Sequence, residues 1–81
     1  MEIKVYSRDH CPYCDQLKSW LKEHNISFEE ILVNTKEAVE QFKEDCPGQN
    51  TVPQILIDGK LIEGGHDGFM ESEEKDLLEA L

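Results

Sequence analysis

Two cysteines three residues apart, in Cys11-Pro12-Tyr13-Cys14, are the side chains of this sequence best placed to do chemistry. That chemistry is thiol–disulfide exchange: a thiolate attacks a disulfide, and a neighbouring thiol resolves the mixed disulfide that forms. The motif follows a strand-like apolar run and opens a helical pattern. Pro12 suits the first turn of a helix, where its missing N–H costs nothing. Cys11 therefore falls at or just before a helix N-terminus. Unsatisfied N–H groups and the positive end of the helix dipole favour the thiolate there, so Cys11 is expected to titrate below the roughly 8.5 of a free cysteine. Cys14 lies one turn further along the same face and reads as the resolving thiol. Other uses of the pair fit less well. A zinc site would draw four ligands from Cys11, Cys14, Cys46 and His10 or His66, and the chain has no second close pair. A permanent disulfide would close a very short loop and stabilise little. Simple burial does not call for a proline between two cysteines at a helix start.

The elements that must carry the motif follow from periodicity. Ile3, Val5 and Tyr6 read as a first strand, ending in the turn-forming Ser7-Arg8-Asp9-His10. Cys14, Leu17, Leu21 and His24 recur at helical spacing with Trp20 beside them, and Asn25 closes that helix. Phe28 to Val33 reads as a second strand. Asn34 is the expected cap of a second helix, with Glu37 three residues on and Ala38, Val39, Phe42 and Cys46 in helical register before Pro47-Gly48 stops it. Gln54 to Ile57, the turn signal Asp58-Gly59 and Lys60 to Glu63 form a hairpin. Gly64-Gly65 breaks the chain before a helical tail with Leu77, Leu78 and Leu81 on one face, which Ser72-Glu73-Glu74-Lys75 has the residues to divide. The order is β-α-β-α-β-β-α, an α/β arrangement in which a parallel crossover pair gains a hairpin.

All 81 residues are expected in a single domain, 1–81, with a small core. Eight Lys and Arg stand against 18 Asp and Glu, a net charge of −10, which excludes nucleic acid and anionic membrane as partners because both need clustered cations. Residues 1–25 balance Lys4, Arg8, Lys18 and Lys22 against Glu2, Asp9, Asp15 and Glu23, so all of the net charge lies beyond them. An anionic ligand would be met in that neutral third. An odd cysteine count and the lack of a signal-like opening point to the cytoplasm, where thiols stay reduced.

Three segments together resemble a small dithiol glutaredoxin of the thioredoxin superfamily: Val5 to Cys14, Thr51-Val52-Pro53-Gln54-Ile55 with Ile57-Asp58-Gly59, and Gly64-Gly65-His66-Asp67. The resemblance covers essentially the whole chain. It implies a thioredoxin-like fold, a four-stranded mixed sheet flanked by about three helices. It also implies glutathione as co-substrate, no metal, a monomer, and disulfide-bearing protein substrates, with ribonucleotide reductase an example. Cys11 and Cys14 would be catalytic. Val52-Pro53 would be a cis peptide facing the Cys11 sulfur, with the Val52 backbone paired to the cysteinyl residue of glutathione. Arg8, the only arginine, would reach the glycyl carboxylate, and Asp67 the γ-glutamyl ammonium, with Tyr13, Thr51, Gly65 and His66 around the ligand.

Plainer roles stand beside these. Asp67 and Gly65 suit a helix cap, Thr51 a turn, Trp20 and Phe42 the core, and Cys46 packing. Two departures from the family pattern bear on affinity. Glu63 makes the run into Gly64-Gly65 one residue longer, and counting back from Thr51 puts Glu40 near the glycyl end, where a carboxylate would repel the ligand. With the acidic bulk of residues 26–81, such a chain would bind glutathione more weakly than the fold could support, or favour protein substrates with complementary positive charge. Two other functions use the same thiols: a thioredoxin-like electron donor recharged by a flavin reductase, and a module holding an iron–sulfur cluster between two subunits.

Overall fold

The alternation in β1 (Ile3–Ser7) explains why this strand lies inside the sheet. Ile3 and Val5 face one layer, where they meet Leu17 and Leu21 of α1 (Pro12–Glu23). Tyr6 faces the other, against Phe42 of α2 (Lys36–Asp45). A strand apolar on both faces must be covered on both, and the computed structural model, which describes residues 1–80, shows helices on each side. β2 (Glu29–Leu32) runs parallel to β1 at the sheet edge. β3 (Gln54–Ile57) pairs antiparallel with β1 on its other side, and β4 (Lys60–Ile62) antiparallel with β3, for a sheet order β2-β1-β3-β4. Asp58 and Gly59, with φ of 49° and 83°, make the tight hairpin turn that needs two positive φ values in succession.

The tail departs from a single closing helix. It forms α3 (Gly65–Met70) and α4 (Glu73–Glu79), giving four helices and the order β-α-β-α-β-β-α-α. One hydroxyl makes the break: Ser72 Oγ donates to the Phe69 carbonyl at 2.6 Å and accepts from the Lys75 N–H at 3.1 Å, closing α3 and capping α4. Consequently Leu78 is buried with Phe69, while Leu77 is exposed rather than sharing its face; Leu81 lies outside the described residues. The cap of α2 is Thr35, one residue beyond Asn34, with its Oγ1 accepting from the Ala38 N–H at 3.1 Å. The strands also end sooner than their apolar runs. Val33 keeps a single hydrogen bond, to the Ser7 carbonyl at 2.9 Å.

A polar clamp ties the redox helix to the sheet. Glu30 on β2 accepts from Lys18 Nζ of α1 at 2.5 Å and from the buried Ser7 Oγ at 2.7 Å. The hydrogen bond from Lys18, then that from Ser7, holds the Glu30 carboxyl below its ordinary range. A depressed acid stabilises the fold above its unfolded pKa and loses that contribution as pH falls through the folded value. Glu30→Gln is therefore expected to cost about 1 kcal/mol in urea unfolding at neutral pH. The gap to the parent chain should begin to narrow near about pH 4, where an unfolded glutamate protonates, and close once the pH is below the depressed folded value. A gap that persists at low pH would show that the carboxylate charge is not what binds the three elements.

Candidate active site

Cys11 is the N-cap of α1, extended at φ −122° and ψ 97°, and Pro12 holds the first helical position. The Cys14 N–H donates to Cys11 Sγ at 3.2 Å, so the helix start directs a donor at the sulfur. Negative charge on that sulfur is favoured by the same geometry once the pair is reduced. Cys11 and Cys14 are joined as a disulfide with Cα atoms 5.2 Å apart. Cys11 is 6% exposed and Cys14 fully buried, so an incoming thiolate or disulfide meets Cys11 first. Cys46 differs in kind: it caps the C-terminus of α2, and burial, with the neighbouring Asp45 charge, pushes its thiol up to about 11. It is a packing residue in the layer with Tyr6 and Leu56.

A cleft of about 380 Å³ is walled by Tyr13 of the motif, by Thr51, Val52 and Pro53 before β3, and by Gly65, His66 and Asp67 at the start of α3. The Val52-Pro53 bond is cis, as the resemblance implies. Tyr13, 57% exposed, lies against His66 with ring centroids 5.5 Å apart, and His66 Nδ1 lies 3.0 Å from Asp67 Oδ1. Asp67 does not cap α3; Gly64 occupies that position with φ 97°, and no side chain completes the cap. Gln54, beneath the cleft, donates from Nε2 to the Thr51 carbonyl at 2.9 Å and so braces the segment that carries Val52 and Pro53.

A second cleft of about 520 Å³ shares Thr51, Val52 and Gln49 with the first and ends at Arg8 and Lys43. The two form one groove, cationic at one end and carrying Asp67 at the other. Arg8 is thus brought to the groove but not to the end that holds His66 and Asp67. The expectation for Glu40 is corrected: α2 turns Val39, Phe42 and Lys43 to this groove, and Glu40 is not among the residues that line it. Helical register is the reason, since positions 39, 42, 43 and 46 share a face with the buried Phe42 and Cys46. Lys43 and Gln49 were missed by sequence reasoning. The apolar register of α2 points to Lys43; no local pattern points to Gln49.

The turn at Glu63 depends on glycine. A Cβ at Gly68 would collide with the Glu63 carbonyl oxygen, and a Cβ at Gly64 would stand 2.7 Å from the Gly68 Cα. The turn after β4 therefore presses directly on α3, and only hydrogen at these positions permits it. Gly68→Ala is expected to lower stability by about 1–3 kcal/mol, as overpacking does. It should also displace His66 and Asp67. A urea midpoint equal to that of the parent would mean that the turn relaxes freely.

Residues 3–62 match the glutaredoxin family model. The chain belongs to the glutaredoxin family. Relatives agree with that assignment along its length. Glutaredoxin 1 of Rickettsia conorii is 41% identical over 81 residues, covering 98% of this chain and 78% of the relative. Among solved structures, glutaredoxin 1 of Francisella tularensis in complex with cacodylate is 34% identical, with a TM-score of 0.74, covering 94% of this chain and 95% of that one. A buckwheat glutaredoxin–glutathione complex is 28% identical, with a TM-score of 0.75, covering 96% of this chain and 72% of that one. This glutaredoxin is a thiol–disulfide oxidoreductase with the thioredoxin-like fold. Among its described residues no three His, Cys, Asp or Glu side chains converge to hold a metal, and no helix is long and apolar enough to cross a membrane.

Proposed function

We propose that this glutaredoxin reduces protein disulfides and glutathione mixed disulfides in the cytoplasm, as a monomer, with glutathione as its reductant. The observation that carries the reading is the two-ended groove that Tyr13 of the dithiol motif helps to wall. Glutathione bears a carboxylate at its glycyl end and an ammonium on its γ-glutamyl end. Arg8 and Lys43 suit the first and Asp67 the second. Between them, on this reading, the Val52 backbone pairs with the cysteinyl residue in strand fashion.

In the mixed-disulfide reaction the Cys11 thiolate attacks the glutathione sulfur and expels the protein thiolate. A second glutathione thiolate then takes the bound glutathione as oxidised glutathione and frees the Cys11 thiolate. With a protein disulfide, Cys11 forms the mixed disulfide and Cys14 attacks Cys11, releasing the reduced protein. The Cys11–Cys14 disulfide that results is returned to two thiols by two glutathiones. Ribonucleotide reductase is one disulfide-bearing partner such a cycle would serve. A thioredoxin-like donor would use the same thiols but needs no tripeptide groove. Turnover of a small disulfide should be sustained by glutathione with glutathione reductase and not by thioredoxin reductase; activity with thioredoxin reductase alone would overturn the reading.

A further inference from the structure

A cleft of about 370 Å³ opens between α1 and α3, and His66 lines both this cleft and the one over Val52-Pro53. The cleft over Val52-Pro53 therefore meets a second, acidic surface at His66. Its floor is Trp20 and Met70, and its rim carries Asp15 and Glu23 of α1. Trp20 is held in place, stacked on His24 at 4.0 Å and edge-on to Phe69 at 5.4 Å. Asp15 and Glu23 are eight residues apart with Ser19 midway, so they lie on one stripe of the helix about 12 Å apart. Asp15 shares its one cation with Glu30, and Glu23 has none among the described residues. The side chain of Asp15 is 71% exposed, and that cation, Lys18 at 3.7 Å, sits closer to Glu30 at 2.5 Å.

We propose that this cleft docks an extended, basic segment of the disulfide-bearing protein substrate, with the stems of Lys or Arg side chains laid over Trp20 and Met70 and their charges at Asp15 and Glu23. The inference rests on the reading that protein disulfides are substrates, and it names their class. Long cationic side chains bury their methylenes on apolar surface while the charged head stays in water, which matches an apolar floor with an acidic rim. An extended chain rises about 3.3 Å per residue with alternating faces, so two basic residues four apart point the same way and span about 13 Å, close to the separation of the two carboxylates. The cationic cleft at Arg8 and Lys43, which shares no residue with this one, remains for a small anion.

Single-turnover reduction of a disulfide peptide by the pre-reduced protein tests this without glutathione, so its outcome is separate from that of the coupled assay. Three peptides identical except for two positions four residues apart, carrying Lys, Gln or Glu, are compared. The Lys peptide should react about tenfold faster than the Gln peptide at low salt and the Glu peptide more slowly, with the differences vanishing near 1 M salt, where charges are screened beyond about 3 Å. Combining Asp15→Asn with Glu23→Gln should bring the Lys-to-Gln ratio to about twofold or less while leaving the Gln peptide and a small neutral disulfide unaffected. Glu71→Gln with Glu73→Gln removes the same charge outside the cleft and should leave the ratio intact. A ratio that survives the cleft variant, or that falls equally in the control, overturns the proposal.

Discussion

Cys11→Ser is expected to reduce every exchange reaction to the uncatalysed rate, whereas Cys14→Ser should abolish only one of them. The asymmetry follows from placement. Cys11 is the N-cap, receives the Cys14 N–H, and is the one residue of the pair with any exposed surface, whereas Cys14 is fully buried. Removing glutathione from a mixed disulfide needs one sulfur that attacks and then leaves, and Cys14→Ser retains it, so that rate should stay within a few fold of the parent. Reducing a protein disulfide by the dithiol route needs Cys14 to attack the Cys11–protein bond, and serine cannot form that disulfide. The Cys14→Ser protein should instead accumulate the mixed disulfide, visible by intact mass. Cys46 does not rescue either reaction, because its thiol is buried and held protonated. Loss of both activities in Cys14→Ser would reverse the assignment of the two roles.

The fold was legible where one residue pattern decides one structure. Ile3 and Val5 against Tyr6, Leu17 with Leu21, and Asp58-Gly59 each have one physical solution, and all three appear as read. What the pattern could not show was set by contacts distant along the chain. Ser72 closes one helix and begins another because its hydroxyl meets the Phe69 carbonyl, a bond that depends on where α3 ends. Gly68 looks like a weak point in a helix until the Glu63 carbonyl is seen against it. The site divides in the same way. The dithiol and its helix start are local and readable, but the cationic end of the groove is assembled from the β1–α1 loop, α2 and the loop before β3. A count along the chain chose Glu40, while the register imposed by the buried Phe42 brings Lys43.

That correction changes what charge substitutions should do. Arg8→Ala and Lys43→Ala are each expected to raise the KM for glutathione about 3- to 30-fold, on the basis that an exposed ion pair contributes about 0.2–1 kcal/mol, a charge-assisted bond up to about twice that of a neutral one, and 1.4 kcal/mol is tenfold. The double variant should show less than the product of the two, since either cation alone can still meet the same carboxylate. Asp67→Ala acts at the other end of the groove, out of contact with Arg8 and Lys43, so its effect should multiply with theirs. Added salt should weaken glutathione use in the parent more than in the double variant, because the attraction being screened is the one the variant lacks. Glu40→Gln, by contrast, should leave the KM unchanged. In all of these proteins the rate at which a small neutral reagent alkylates reduced Cys11 should hold, because the helix start that activates the sulfur is untouched. A glutathione KM indifferent to Arg8, Lys43 and Asp67 together, with that alkylation rate intact, would leave a working dithiol without a tripeptide site and would favour a reductase-fed electron donor instead.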